Sequence, residues 1–277
     1  MRHSHIRSGA VGTLALLVSV TATGTIVSAQ RGRGGPAAAP VNARQQAPID
    51  LTGYWVSVVT EDWRYRMVTA PKGDHPGLPL SAEGNRIANA WDPAKDEAAG
   101  DQCKAYGAAG IMRAPGRIHI TWDSDEVLKI DTEAGTQTRQ LRFGAATAAP
   151  VASATQATTS AASLQGTSVA QWEASGAAGR GGRGGRGAGP QGGSLKVVTT
   201  HMKPGYLQKN GVPYGENAVL TEYFTRTTEP NGDSWLIITL IVEDPQYLTQ
   251  PLIRSVQFKK LPDSASTSWA PEACSAR

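Results

Sequence analysis

A mostly β domain, in which an antiparallel meander closes into a barrel, is the architecture that this 277-residue sequence predicts. Three observations carry that expectation. Beyond residue 50 the chain is a succession of short segments in which apolar and polar residues alternate, the period-two pattern of half-buried strands. Turn chemistry separates them at Asp123-Ser124-Asp125, Glu133-Ala134-Gly135 and Pro230-Asn231-Gly232-Asp233, the last being the strongest hairpin signal in the chain. About nine such strands with a single helical excursion favour closure or strong curvature. A two-sheet sandwich is the alternative that the same pattern allows.

The elements follow in order. Residues 1–29 have the three parts of a secretory signal. Arg2 and Arg7 precede the apolar run Ala10 to Val20, and Val27-Ser28-Ala29 offers small residues for cleavage near Ala29. The run is too short to span a bilayer, so no membrane span is expected, and the mature chain is expected in the periplasm or outside the cell. Residues 30–48, rich in Gly, Ala, Pro and Arg, read as a disordered leader. A single β domain is expected over 49–277.

Its first strand, Leu51 to Thr60, is dense in Trp, Tyr and Val. Ser81 to Trp91 places Ile87 and Trp91 on one helical face, and Asp92-Pro93 supplies the cap and first-turn proline of a second short helix toward Tyr106, a helical excursion near 81–106. Arg117 to Trp122 turns Ile118, Ile120 and Trp122 one way and Arg117, His119 and Thr121 the other. Glu126 to Asp131 and Thr136 to Phe143 complete a three-stranded meander. Gln165 to Glu173, Leu195 to Thr200, Ala218 to Thr228, Ser234 to Glu243 and Leu252 to Lys260 supply the rest. Trp235 to Val242 is apolar on both faces and is expected to be central or strongly covered. Two low-complexity loops interrupt the series at about 144–164, nearly all Ala, Thr and Ser, and 174–193, with Arg180, Arg183 and Arg186 spaced by Gly-Gly. Neither buries enough apolar surface to offset its ordering entropy.

Charge and cysteine content narrow the function classes. The whole chain carries +4, which falls to +2 without Arg2 and Arg7. Setting aside Arg31, Arg33, Arg44, Arg180, Arg183 and Arg186 as well leaves −4, so the folded part is mildly acidic and the positive charge sits on low-complexity segments. That distribution is the opposite of a nucleic-acid-binding face, and any polyanion contact would run through the three loop arginines to cell-envelope material. Cys103 and Cys274 are the only cysteines, an even pair in a chain read as exported, and a disulfide between them is expected. The strands are too short and too charged for an outer-membrane barrel.

Two resemblances rest on particular residues. Asp50-Leu51-Thr52-Gly53-Tyr54-Trp55 resembles the start of the folded part in a group of secreted bacterial β-rich proteins without assigned chemistry, and the likeness recurs at Ala114 to Ile118, Ser168 to Glu173 and Glu243 to Pro251. It implies export and fold only. Gly53-Tyr54-Trp55 also resembles the Gly-x-Trp of the first lipocalin strand, which implies a lipocalin-like barrel with the Trp closing one end.

No cofactor-binding motif, metal-ligand spacing or catalytic elbow is present. As weak catalytic candidates, His119, Glu222 and Glu243 are the residues from which an acid–base site in the barrel would be built. Glu243-Asp244-Pro245 reads equally as an Asp-capped turn. The aromatics Trp55, Trp63, Tyr65, Tyr206, Tyr214 and Tyr223 are the candidate lining of a small-molecule pocket, and they are also what a β core requires. The function read from the sequence is capture of a small, partly apolar ligand, with a periplasmic enzyme or an envelope interaction module as alternatives.

Overall fold

A computed structural model describes residues 41–144, 161–174 and 192–277. The signal-type segment, the leader up to residue 40 and most of both low-complexity loops, Arg180, Arg183 and Arg186 included, lie outside the described residues. Among the described residues there are eleven strands: β1 (Gly53–Val58), β2 (Arg117–Ser124), β3 (Val127–Thr132), β4 (Gln137–Phe143), β5 (Thr167–Ala174), β6 (Gly193–Thr200), β7 (Gly205–Gln208), β8 (Val212–Tyr214), β9 (Val219–Thr228), β10 (Ser234–Glu243) and β11 (Leu252–Lys260). Nine of them close into one barrel, in the order β1-β11-β10-β9-β6-β5-β4-β3-β2, and β7 and β8 form a separate hairpin. The barrel, and not the sandwich, is what the alternating segments build.

Closure is mixed rather than wholly antiparallel. β4 and β5 pair in parallel, with Leu141 opposite Ser168 and Phe143 opposite Ala170. Parallel neighbours need a connection of a dozen or more residues, and the Ala/Thr/Ser-rich insertion after Phe143 supplies one. It starts at one end of the barrel and delivers the chain to the other, where Ala108 donates a 2.9 Å hydrogen bond to the Leu164 carbonyl. The insertion is thus a crossover connection between parallel strands.

The inward faces are the apolar faces of the sequence pattern. Ile118, Ile120, Leu128, Ile130, Leu141, Leu195, Val197, Leu220, Phe224, Leu236, Ile238, Val256 and Phe258 are all buried. Full burial of such a side chain contributes about 1.5–3 kcal/mol each before ordering costs. In β10, between β9 and β11, every second residue is buried and the outward ones are half-covered. The interior is therefore filled with side chains, not a deep empty cup.

The two ends differ. One, the helical end, is stoppered by α1 (Trp63–Met67), α2 (Ala82–Ala90), α3 (Pro93–Ala98), α4 (Ala108–Ile111) and the β7–β8 hairpin. Ser81 caps α2 by accepting from Gly84 N–H at 3.0 Å, and Asp92 caps α3 by accepting from Ala94 N–H at 3.1 Å, with Pro93 in the first turn. The other end, the mouth, receives residues 41–52. Composition placed 41–48 in the leader, but a turn there docks on the barrel: Asn42 Nδ2 donates to Asp125 at 2.9 Å and Trp172 Nε1 donates to the Ala43 carbonyl at 2.8 Å.

From Lys260 at the mouth the C-terminal segment runs as a strap over the outside of β1 and β2. Trp269 packs edge-on against Tyr54 and His119, Glu272 N–H donates to the Glu133 carbonyl at 2.8 Å, and the Cys103–Cys274 disulfide, with Cα atoms 5.0 Å apart, fixes the strap at the helical end.

Gly53 explains the Gly-Tyr-Trp pattern physically. Its φ is +105°, and a Cβ there would lie 2.5 Å from Lys260 Nζ. That ammonium sits 4.7 Å above the Trp55 ring and donates to the Thr52 carbonyl, while the fully buried Trp55 indole donates to the Leu51 carbonyl at 2.9 Å. Gly53→Ala is expected to destabilise by about 1–3 kcal/mol through strain and displacement of Lys260, read as a lowered midpoint in urea unfolding.

Candidate functional site

Three inward-facing residues meet at the mouth because each is the last core position of its strand: Trp122 on β2, Phe143 on β4 and Trp172 on β5. Their rings are 5.6 Å (Trp122–Phe143), 5.3 Å (Phe143–Trp172) and 6.4 Å (Trp122–Trp172) apart. Such offset contacts add stability beyond area burial. Against the two tryptophans opens a cavity of about 370 Å³, completed by Ile49, Leu51 and Leu128, by the aliphatic Ala47, and by the polar Arg44, Asp50 and Thr52. That size is at the small end of ligand pockets, and the surface the cavity exposes is more polar than apolar despite the two tryptophans.

Asp50 and Thr52 are fixed. Asp50 accepts from Thr52 N–H at 2.9 Å and from the Thr52 hydroxyl at 2.7 Å, and its carbonyl accepts from Arg226 at 2.7 Å. Partial burial pushes the Asp50 carboxyl up, but the Thr52 hydrogen bonds and the charges of Lys260 and Arg226 outweigh it and hold the group below the ordinary carboxylate value. It is an anion at neutral pH. Arg44 supplies a cation on the same rim and has no ion pair among the described residues. The arrangement can hold a small apolar body against the two indoles and a polar or charged group at the rim. The hairpin connection between Ala174 and Gly193 leaves from this rim, since Gly193 lies against Pro48.

The residues singled out from the sequence are distributed otherwise. His119 is outside the barrel, its ring stacked 3.9 Å from that of Tyr54, and burial there lowers its pKa. Glu222 is inside, fully buried and paired with Arg139. Glu243 is exposed at a strand end. These three do not converge on one substrate position. Beside Glu243, the Asp244 carboxylate accepts from Gly215, Gln246 and Tyr247 N–H groups at 2.7, 2.9 and 3.2 Å, which is turn-capping work.

The six aromatics also do not converge. Trp55 is core, Tyr223 faces outward beneath Lys196, and Trp63, Tyr65, Tyr206 and Tyr214 belong to the helical end. Tyr206 donates to Asp96 at 2.8 Å, and Trp63 is 67% exposed. The cavity residues Trp122 and Trp172 were not among them. The readable signal was an inward-facing Trp at the end of each of two strands, beside a turn, where a barrel has no further layer to cover it.

Among the described residues no group of three His, Cys, Asp or Glu side chains is placed to hold a metal ion, and no helix is long and apolar enough to cross a membrane. No family model, curated protein or solved structure matches this chain, and its function is read from its own geometry.

Proposed function

We propose that this chain is an exported, water-soluble barrel protein that captures a small, partly apolar ligand at the mouth of the barrel. The observation that carries the reading is the 370 Å³ cavity floored by Trp122 and Trp172 with Arg44 and Asp50 on its rim. The site is at the mouth because the interior below Leu128 is packed with side chains. A ligand with an aromatic or alicyclic body and one or more polar groups matches it in size and in its mix of indole and polar lining. Export is supported by the disulfide, which belongs to oxidising compartments, by the signal-type composition of residues 1–29, and by the resemblance at Asp50 to Trp55 to secreted proteins.

The test is a fluorescence titration with 1-anilinonaphthalene-8-sulfonate, an aromatic body carrying one anionic group. Saturable one-site binding is expected, with energy transfer from tryptophan. Trp122→Ala and Trp172→Ala are each expected to weaken it at least about tenfold, the equivalent of 1.4 kcal/mol. Equal affinity in wild type and both variants would refute the site.

A further inference from the structure

We infer that a small oxyanion, a phosphate or a carboxylate group, binds between Arg66 and Arg113 at the helical end, away from the mouth cavity. The two guanidinium groups enter one small void from different elements, Arg66 from α1 and Arg113 from the segment after α4. The void, about 30 Å³, is also lined by Tyr65, Gln208 and Lys209. A single water requires roughly half that space.

Both arginine side chains are at least nine-tenths buried, at 1% and 9% exposure. Each is held by some of its donors and has one left over. Arg66 donates Nε to the Arg113 carbonyl at 2.9 Å and Nη1 to Glu61 at 2.8 Å, while Arg113 donates Nη2 to Asp62 at 3.0 Å. Arg66 Nη2 and Arg113 Nη1 are buried without a partner among the described residues, and so is Gln208 Oε1. Oxygen and nitrogen of a Gln amide are exchangeable assignments, so turning the Gln208 amide over presents a third donor.

Charge points the same way. Asp62 serves two cations, Arg113 and Arg254, and Glu61 serves Arg66. Three guanidinium groups thus share two carboxylates, and Lys209 stands at the void with its ammonium on the Arg277 carbonyl at 2.5 Å. Burial raises the Asp62 pKa, but Arg113 and Arg254 overcome this and hold the carboxyl below its ordinary value, so Asp62 is already committed as an anion to those two cations. Water would satisfy each orphan N–H group separately, whereas one small anion can accept from both at once through charge-assisted bonds. An oxyanion satisfies both, and planar guanidinium groups match its geometry.

The experiment follows thermal unfolding of the full chain at constant ionic strength, replacing chloride stepwise by inorganic phosphate, acetate or glycerol phosphate. A saturable upward shift is expected with phosphate, and Lys209→Met or Gln208→Leu, both at the edge of the cluster, is expected to weaken its apparent affinity several-fold. A shift with inorganic phosphate alone assigns a free ion. A shift that extends to glycerol phosphate or acetate assigns the terminal group of a larger molecule. Because Arg66 and Arg113 also hold the fold together, ³¹P line broadening on the wild-type protein provides the reading at fixed temperature. No saturable shift relative to chloride, with unbroadened ³¹P signals, would overturn the inference and leave the void to water.

Discussion

Replacing Glu222 by Leu while Arg139 remains is expected to cost about 3–5 kcal/mol of folding stability. Arg139 on β4 and Glu222 on β9 are both fully buried inside the barrel and face each other across it, with Nη1–Oε1 and Nη2–Oε2 distances of 2.9 and 2.5 Å. Thr199, within 3.5 Å of Arg139 Nη2, is in turn 2.8 Å from the Ser168 hydroxyl. The bidentate pair is a short polar bolt through an apolar core. Removing the carboxylate strands a guanidinium that cannot reach water. Arg139→Met alone is expected to strand the carboxylate and cost a similar amount. The double variant Arg139→Met/Glu222→Leu removes both charges, keeps most of the volume, and is expected within roughly 1–2 kcal/mol of wild type or above it. Urea unfolding of the three variants at pH 7 checks this. Single losses below about 1 kcal/mol would mean that water reaches the pair.

Cutting the disulfide is the second large effect. Cys274→Ser is expected to lower stability by roughly 3–5 kcal/mol, because the Cys103–Cys274 bond closes a loop whose ends are 171 positions apart in sequence. For a domain of this size that is on the order of 10 °C in Tm. The loss also frees the strap. Glu133 accepts from Ala270 N–H at 2.7 Å and from Arg117 Nε at 2.7 Å, and the Thr136 hydroxyl donates to the Glu272 carbonyl at 2.9 Å. With the covalent anchor gone, only noncovalent contacts hold residues 269–277, these bonds together with the packing of Trp269 on Tyr54 and His119 and the Glu272 N–H bond to the Glu133 carbonyl, and faster proteolysis near Trp269 is expected alongside the lower Tm. A Tm unchanged by Cys274→Ser would show that the strap contributes nothing to the cooperative unit.

Much of the barrel was legible because closure reads out period-two patterning directly. Ile118, Ile120 and Trp122 alternate inward as the pattern required, and Pro230-Asn231-Gly232-Asp233 turns β9 into β10, with Gly232 at φ +88° and Asn231 accepting from Asp233 N–H at 3.0 Å. What was not legible had no local signature. β7 and β8 are three to four residues each and pair only with one another, too short for alternation to show. The parallel β4–β5 pairing is a long-range choice that a low-complexity connection makes available and does not announce. The polar interior pair left a trace, a charge at an inward position on each of two apolar strands, between Leu141 and the β4 start and between Leu220 and Phe224. Residue types alone did not join them.

The site was read less well than the fold. Aromatic content pointed to tyrosines beside a Gly/Pro-rich loop, yet Tyr214 is buried without any exposure and Tyr206 is committed to Asp96. Whether an aromatic lines a cavity depends on which end of a strand it occupies and on what covers that end. Here that cover is residues 41–52, of which 41–48 have the composition of a leader.

Native mass spectrometry of the full chain, purified without denaturation from cells that export it, tests the proposed role most directly. A discrete added mass of a few hundred daltons is expected on the wild-type protein, absent from a folded Trp122→Ala/Trp172→Ala variant prepared alongside it. An identical added mass on both proteins, or ligand-free protein that also fails to take up any small apolar compound, would contradict capture at the mouth.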